Sequence, residues 1–115
     1  MDQEEVTCSH ILQKHTESRN PNDSYRNKPI TRSKDEAIAN IKAIFKEIQD
    51  GKATFEEMAS EYSECRSAGR GGDLGPFGRG QMQKAFEDAA FALQVGEISD
   101  LVDTDSGIHI ILRTE

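Results

Sequence analysis

Two short stretches at opposite ends of the chain, Cys8-Ser9-His10 and Ser106-Gly107-Ile108-His109, set a histidine among alternating apolar residues, and a lone Cys65 stands at the head of a glycine-rich middle. A thiol, two imidazoles and neighbouring hydroxyls can share protons near neutral pH, exchange hydrogen bonds or supply a nucleophile. None of that happens unless they meet. Val6, Cys8, His10 and Leu12 fall on one face of a period-2 segment, and Ile108, Ile110 and Leu112 on one face of another, so each end predicts a strand. Two terminal strands of one small domain are natural sheet neighbours, and their pairing brings the histidines together. Either histidine alone reads as a hydrogen-bonded core residue. Both together with a thiol and hydroxyls read as a site.

The elements that must position these residues are written in caps and periodicities. Ser33 and Glu36 form a capping-box pattern, and Ala37, Ile38, Ile41, Ile44, Phe45 and Ile48 recur at helical spacing until Gly51. Thr54 and Glu57 repeat that logic ahead of Phe55, Met58, Ala59 and Tyr62, predicting a second short helix to Glu64 with Cys65 at its end. From Gly69 to Gly80 most of the chain's glycines follow, which argues against regular helix there. Leu74 to Phe77 reads as a short strand and Gln83 to Leu93 as a third helix. Ile98 to Val102 begins a strand that Asp105-Ser106-Gly107 turns into the last one. Strand, two helices, strand, helix and two strands is the order of an α+β domain with a small, largely antiparallel sheet.

With 115 residues, 35% hydrophobic and 30% charged, the chain fits one globular domain over 1–115, with residues 1–5 expected as a disordered tail. No apolar run approaches membrane-spanning length, so no membrane role is expected. Met1-Asp2-Gln3-Glu4-Glu5 is acidic and lacks signal-peptide order, which leaves a cytoplasmic or nuclear address and free thiols. The net charge of −7 argues against nucleic-acid binding, yet Lys14 to Lys34 holds six bases against two acids. Residues 16–32, with Asn20-Pro21-Asn22-Asp23-Ser24 and Pro29, read as a mobile basic loop. Such a loop is either simply solvated or holds one small anion; it is too short and too poor in aromatics to grip a nucleic acid.

Four motifs in order, Cys8-Ser9-His10-Ile11-Leu12, Gly71-Gly72-Asp73-Leu74-Gly75, Gly80-Gln81-Met82-Gln83-Lys84-Ala85-Phe86 and Ser106-Gly107-Ile108-His109-Ile110-Ile111, resemble the parvulin family of peptidyl-prolyl cis/trans isomerases across nearly the whole chain. The resemblance is to the Pin-type branch, which acts on phosphorylated Ser/Thr-Pro bonds, because Lys14 and Arg19 occupy positions where that branch holds phosphate. It implies a four-stranded antiparallel half-barrel of the parvulin/FKBP type, surrounded by helices, with the histidine strands adjacent at its centre. The branch's tryptophan-bearing WW module is expected to be absent, since the sequence contains no tryptophan. Asn20 departs from the branch, which often carries a second arginine there. Phosphate affinity is then weaker unless Arg26 or Lys28 substitutes.

By the same resemblance, His10, Cys65, Ser106 and His109 form the catalytic floor with Thr104 at its edge, and Leu74, Met82 and Phe86 form the pocket for the proline ring. Gln83 hydrogen-bonds the substrate backbone, Lys14 and Arg19 take the phosphate, and Cys8 and His15 stand behind. The expected substrates are phosphorylated Ser/Thr-Pro proteins or peptides. No cofactor, metal or nucleic acid is expected, and the chain is expected to be monomeric. Three other readings use the same residue types. A cysteine-histidine hydrolase lacks an evident oxyanion arrangement and a thiol-protease signature. A zinc site from Cys8, His10, Cys65 and His109 lacks the usual close cysteine pairs. A non-catalytic module binding phospho-Ser/Thr-Pro segments is the third.

Overall fold

Both capping boxes form. The Ser33 hydroxyl accepts from the Glu36 backbone N–H while Glu36 accepts from that of Ser33, and Thr54 and Glu57 repeat the exchange. Helices α1 (Lys34–Gln49) and α2 (Phe55–Tyr62) follow directly. The computed structural model describes residues 4–115, so of the expected tail residues 1–3 lie outside the described part, while Glu5 already opens β1 (Glu5–Gln13) opposite Gly78. After β1 come a small hairpin, β2 (Asn22–Asp23) and β3 (Lys28–Pro29), then α1 and α2. A 3-10 turn over Arg66–Arg70, β4 (Asp73–Gly78), α3 (Lys84–Phe91), β5 (Val102–Thr104) and β6 (Gly107–Arg113) complete the chain.

The main sheet runs β4-β1-β6-β5, antiparallel throughout. Alternation along β1 and β6 divides its side chains between two cores. Ile11, Ile108 and Ile110 meet Ile41, Ile44, Phe55 and Met58 of α1 and α2 on one face, and Val6, Cys8 and Ile111 meet Phe77, Phe86 and Ala90 on the other. The four-stranded α+β architecture expected from element order is therefore the one formed.

Two local expectations need correction. Ile98 to Leu101 is not a regular strand: it makes one bridge, Ile98 to Leu112, and the Ser99 hydroxyl takes the Ile111 N–H at 2.9 Å, doing a strand's work with a side chain. Helix α2 stops at Tyr62 rather than Glu64, because Ser63 and Glu64 turn away to pair with β1. Residues 16–32, the basic segment, include the β2/β3 hairpin and make several long-range side-chain contacts. Arg26 bonds the Asp23 carboxylate and the carbonyls of Ser60, Glu61 and Ser63, satisfying the C-terminal end of α2. Arg32 makes a two-pronged bond to the buried Glu64 carboxylate at 2.6 and 3.0 Å.

Candidate active site

In the pairing of β1 with β6, His10 lies opposite Ile111 and His109 opposite Leu12, so the histidines are diagonal neighbours on one face. Their Nδ1 atoms are 3.0 Å apart and the rings stack at 5.2 Å with an interplanar angle of 22°. Phe86, from α3, meets both rings edge-on at 5.5 and 5.2 Å. Both histidines are buried. Burial, and then the proximity of His10, holds His109 well below the ordinary imidazole pKa, so it is neutral at physiological pH.

A neutral His109 carries one ring proton, and its neighbours allow two arrangements. Thr104 Oγ1 lies 2.7 Å from His109 Nε2. Either the Thr104 hydroxyl donates to Nε2 and His109 Nδ1–H donates to His10, or His109 Nε2–H donates to Thr104 and His10 donates across the pair. In the first arrangement His10 Nε2 bears a proton, in the second a lone pair.

Cys65 reaches this pair because its two predecessors extend β1's pairing. Beyond the irregularity at Cys8/Ser9 strand β4 diverges, and Gly72 accepts from the His10 N–H. Ser63 Oγ then takes the Leu12 N–H, Glu64 N–H reaches the Leu12 carbonyl, and Glu64 Oε1 takes the Lys14 N–H. Cys65 follows at once, capping the 3-10 turn. Its burial raises the thiol pKa, but His10, and then the Ser67 hydroxyl and N–H, outweigh this and bring it down to about 6. His10 Nε2 and Ser67 Oγ have no hydrogen-bond partner. With no competing partner, both groups are left to act on the Cys65 sulfur.

Leu74 and Met82, each partly buried, pack against the apolar cluster that holds the buried Phe86. A cavity of about 210 Å³ is lined by Leu12, Lys14, Arg19, Asn20, Ser24, Cys65 and Ser106. The Lys14 ammonium donates to the Asn22 carbonyl and to Ser24 Oγ there. Two backbone contacts fix the floor. A β-carbon at Gly72 (φ +87°) would lie 2.5 Å from the His10 carbonyl oxygen, and one at Gly107 (φ +145°) 2.6 Å from that of Gln13, so only glycine lets both turns press against β1.

The structure thus links His10, Cys65, Thr104, Ser106 and His109, with Cys65 and Ser106 on the wall of the basic cavity. The Gln83 amide is engaged within the chain, Nε2 donating to Ser106 Oγ at 2.9 Å and Oε1 accepting from Asp105 N–H at 3.1 Å. Neither residue named as a substitute for a second arginine serves the cavity. Arg26 caps α2, and Lys28 faces a different surface depression. Cys8 lies wholly buried in the apolar cluster, its thiol raised to about 11 by burial, and His15 accepts from the Glu17 N–H in its own turn. Cys8 therefore lies apart from the other three residues of the zinc reading, and no three side chains are placed to hold a metal ion among the described residues. Ser63, Glu64, Arg26 and Arg32 are the positioning residues that sequence reasoning missed; each acts through a partner distant in sequence, and nothing local announces it.

The fold and this constellation are those of a rotamase: residues 10–115 match the PPIC-type PPIase domain, and the chain belongs to that family, the parvulin-type peptidyl-prolyl cis-trans isomerases. Among its relatives are peptidyl-prolyl cis-trans isomerase Pin1 of Malus domestica, 54% identical over 96% of this chain and 93% of that protein, and the putative isomerase dodo of Drosophila melanogaster, 56% identical over 96% of this chain and 66% of that protein. The chain thus spans just under two thirds of the fly protein and nearly all of the plant one. Of solved structures, peptidyl-prolyl isomerase ESS1 from Candida albicans superimposes with a TM-score of 0.93 at 45% identity, over 96% of this chain and 63% of that one. The protein is a peptidyl-prolyl cis-trans isomerase, acting on the bond that precedes proline. No helix among the described residues is long and apolar enough to cross a membrane.

Proposed function

We propose that this isomerase prefers bonds whose pre-proline residue is a phosphorylated serine or threonine. The observation that carries the reading is the sharing of one cavity by Lys14, Arg19, Cys65 and Ser106. A phosphate dianion held by an ammonium and a guanidinium there would sit beside the polar floor, while the next residue's ring enters the cup of Leu74, Met82 and Phe86. The two grips would lie on opposite sides of the rotating bond.

Rotation of a peptide bond is opposed by about 18–20 kcal/mol of resonance, and a ~10⁵-fold acceleration requires the site to favour the twisted amide by about 7 kcal/mol. In the planar amide, resonance draws negative charge onto the carbonyl oxygen and electron density away from nitrogen. A thiolate at Cys65 facing that oxygen disfavours the planar form, and a hydroxyl donating to the nitrogen lone pair favours the twisted one; Ser106, whose oxygen already accepts from Gln83, keeps its proton for donation. His10 and His109 hold the thiol's charge state, with Thr104 fixing the outer imidazole. No covalent bond need form.

The partners are phosphorylated Ser/Thr-Pro segments of cytoplasmic or nuclear proteins, met by the chain as a monomer. Two-dimensional exchange NMR on a phosphoserine-proline peptide and its unphosphorylated twin tests the reading. Exchange peaks appear at catalytic enzyme concentration for the phosphorylated peptide; equal exchange for both rejects the preference, and exchange for neither rejects turnover by this site.

A further inference from the structure

Gln83 occupies the N-cap position of α3, yet its side chain caps nothing. Glutamine is not among the side chains that cap well, so the first-turn N–H groups of this eight-residue helix gain nothing from it. The amide reaches instead to the turn between β5 and β6, where it uses a donor and an acceptor on successive residues, Ser106 and Asp105. That turn is already joined to both halves of the site. The Asp105 carbonyl accepts from the Arg19 N–H at 2.7 Å, and the Ser106 N–H donates to Thr104 Oγ1, the partner of His109.

We infer that Gln83 is a positioning residue that holds the anion-binding loop in register with the proline cup. Its backbone starts the helix that carries Phe86, while its side chain fixes the turn on which the Arg19 loop hangs. One amide therefore sets the separation between the two grips on a substrate. Because a phosphate and the following proline ring are separated by a fixed length of peptide, the phosphate contributes to turnover only while that separation is kept. The inference rests on the phosphate reading above and goes beyond it by naming what couples the two ends.

The experiment compares kcat/KM for phosphoserine-proline and alanine-proline peptides in the wild type, Gln83→Leu and Gln83→Met, with unfolding midpoints measured alongside. In both variants the preference for the phosphorylated peptide contracts about five-fold or more, the effect of losing paired hydrogen bonds, and Arg19→Ala then subtracts less in the variant background than in the wild type. Equal losses on both peptides, as expected were Gln83 to hydrogen-bond the substrate backbone directly, overturn the inference. So does a preserved preference. Backbone amide NMR gives a readout independent of turnover: titrating the phosphopeptide's N-terminal half, which lacks proline, shifts Arg19, Asp105 and the cup residue Phe86 in the wild type but leaves Phe86 unshifted in Gln83→Leu. Transmission to Phe86 surviving in Gln83→Leu also overturns it. Absence of any phosphate preference in the wild type is a different failure, that of the phosphate reading itself.

Discussion

The two faces of the sheet use the same strands for opposite purposes. Beneath α1 and α2, Ile11, Ile108 and Ile110 are fully or almost fully buried and present no polar side-chain atom. On the α3 face the neighbouring positions His10 and His109 are buried almost as deeply, but they carry ring nitrogens, one of which, His10 Nε2, has no partner. An unpaired buried polar atom costs roughly 1–3 kcal/mol. Close packing on the first face supplies stability, and the second face carries a polar defect aimed at Cys65. Stability and chemistry are separated by a single residue step along each strand.

The two cysteines mark where dryness ends on the α3 face. With Cys65 brought down to about 6 and Cys8 pushed up to about 11, iodoacetamide at pH 7.4 is expected to label Cys65 at least ~10³-fold faster than Cys8 in the folded protein. The labelling rate should rise with pH through a midpoint near 6; a midpoint near the ordinary thiol value would break the comparison. The sign for stability follows from the same shift. A folded-state pKa below the unfolded one favours the folded state above the unfolded value, and that contribution is lost as pH falls through about 6.

Next in size is the contrast between faces. Ile110→Ala should lose about 3 kcal/mol in urea unfolding, yet keep turnover per folded molecule near that of the wild type. Replacing His10 and His109 together by leucine removes both members of the polar pair, so stability should move by no more than about 1 kcal/mol while kcat/KM falls tenfold or more. The opposite pattern in either variant would mean that the faces do not divide the labour. Alanine at both Lys14 and Arg19 should contract the phosphorylated-to-unphosphorylated ratio of kcat/KM about 100-fold, two charge-assisted bonds being lost; an unchanged ratio would remove the cavity from substrate selection. Smallest is Thr104→Val, which deletes the outer partner of His109 and should lower kcat about five-fold with little change in KM.

Much of this was legible before any coordinates. Capping boxes at Ser33 and Thr54 declare themselves within four residues, and the alternation around His10 and His109 marks both segments as strands, but it sets His109 on the face opposite Ile108 and Ile110, and only the β1/β6 register brings the two histidines to one face. Cys65 was placed at the end of α2, but the means of its delivery was hidden: a side-chain ladder in which Ser63 and Glu64 stand in for a strand. Arg26 shows the same limit. Counted with Lys14 and Arg19 it enlarged a basic island, whereas its guanidinium is spent on three carbonyls of residues 60–63, more than thirty positions away. Periodicity reports local preference, and a charged group's partner is set only when the chain closes. Ile98 to Leu101 failed for a related reason, since the Ser99 hydroxyl supplies a bond that strand pairing would otherwise make.

Gly72 and Gly107 divide the molecule for anyone altering its substrate range. Because their backbones abut β1 with no room for a side chain, the catalytic strand behaves as a fixed rail, and exchange is confined to loops that contain neither glycine. Diversity introduced from Arg19 to Ser24 would retune which charged groups are accepted without disturbing the rail. Libraries that touch either glycine would mostly sample broken registers.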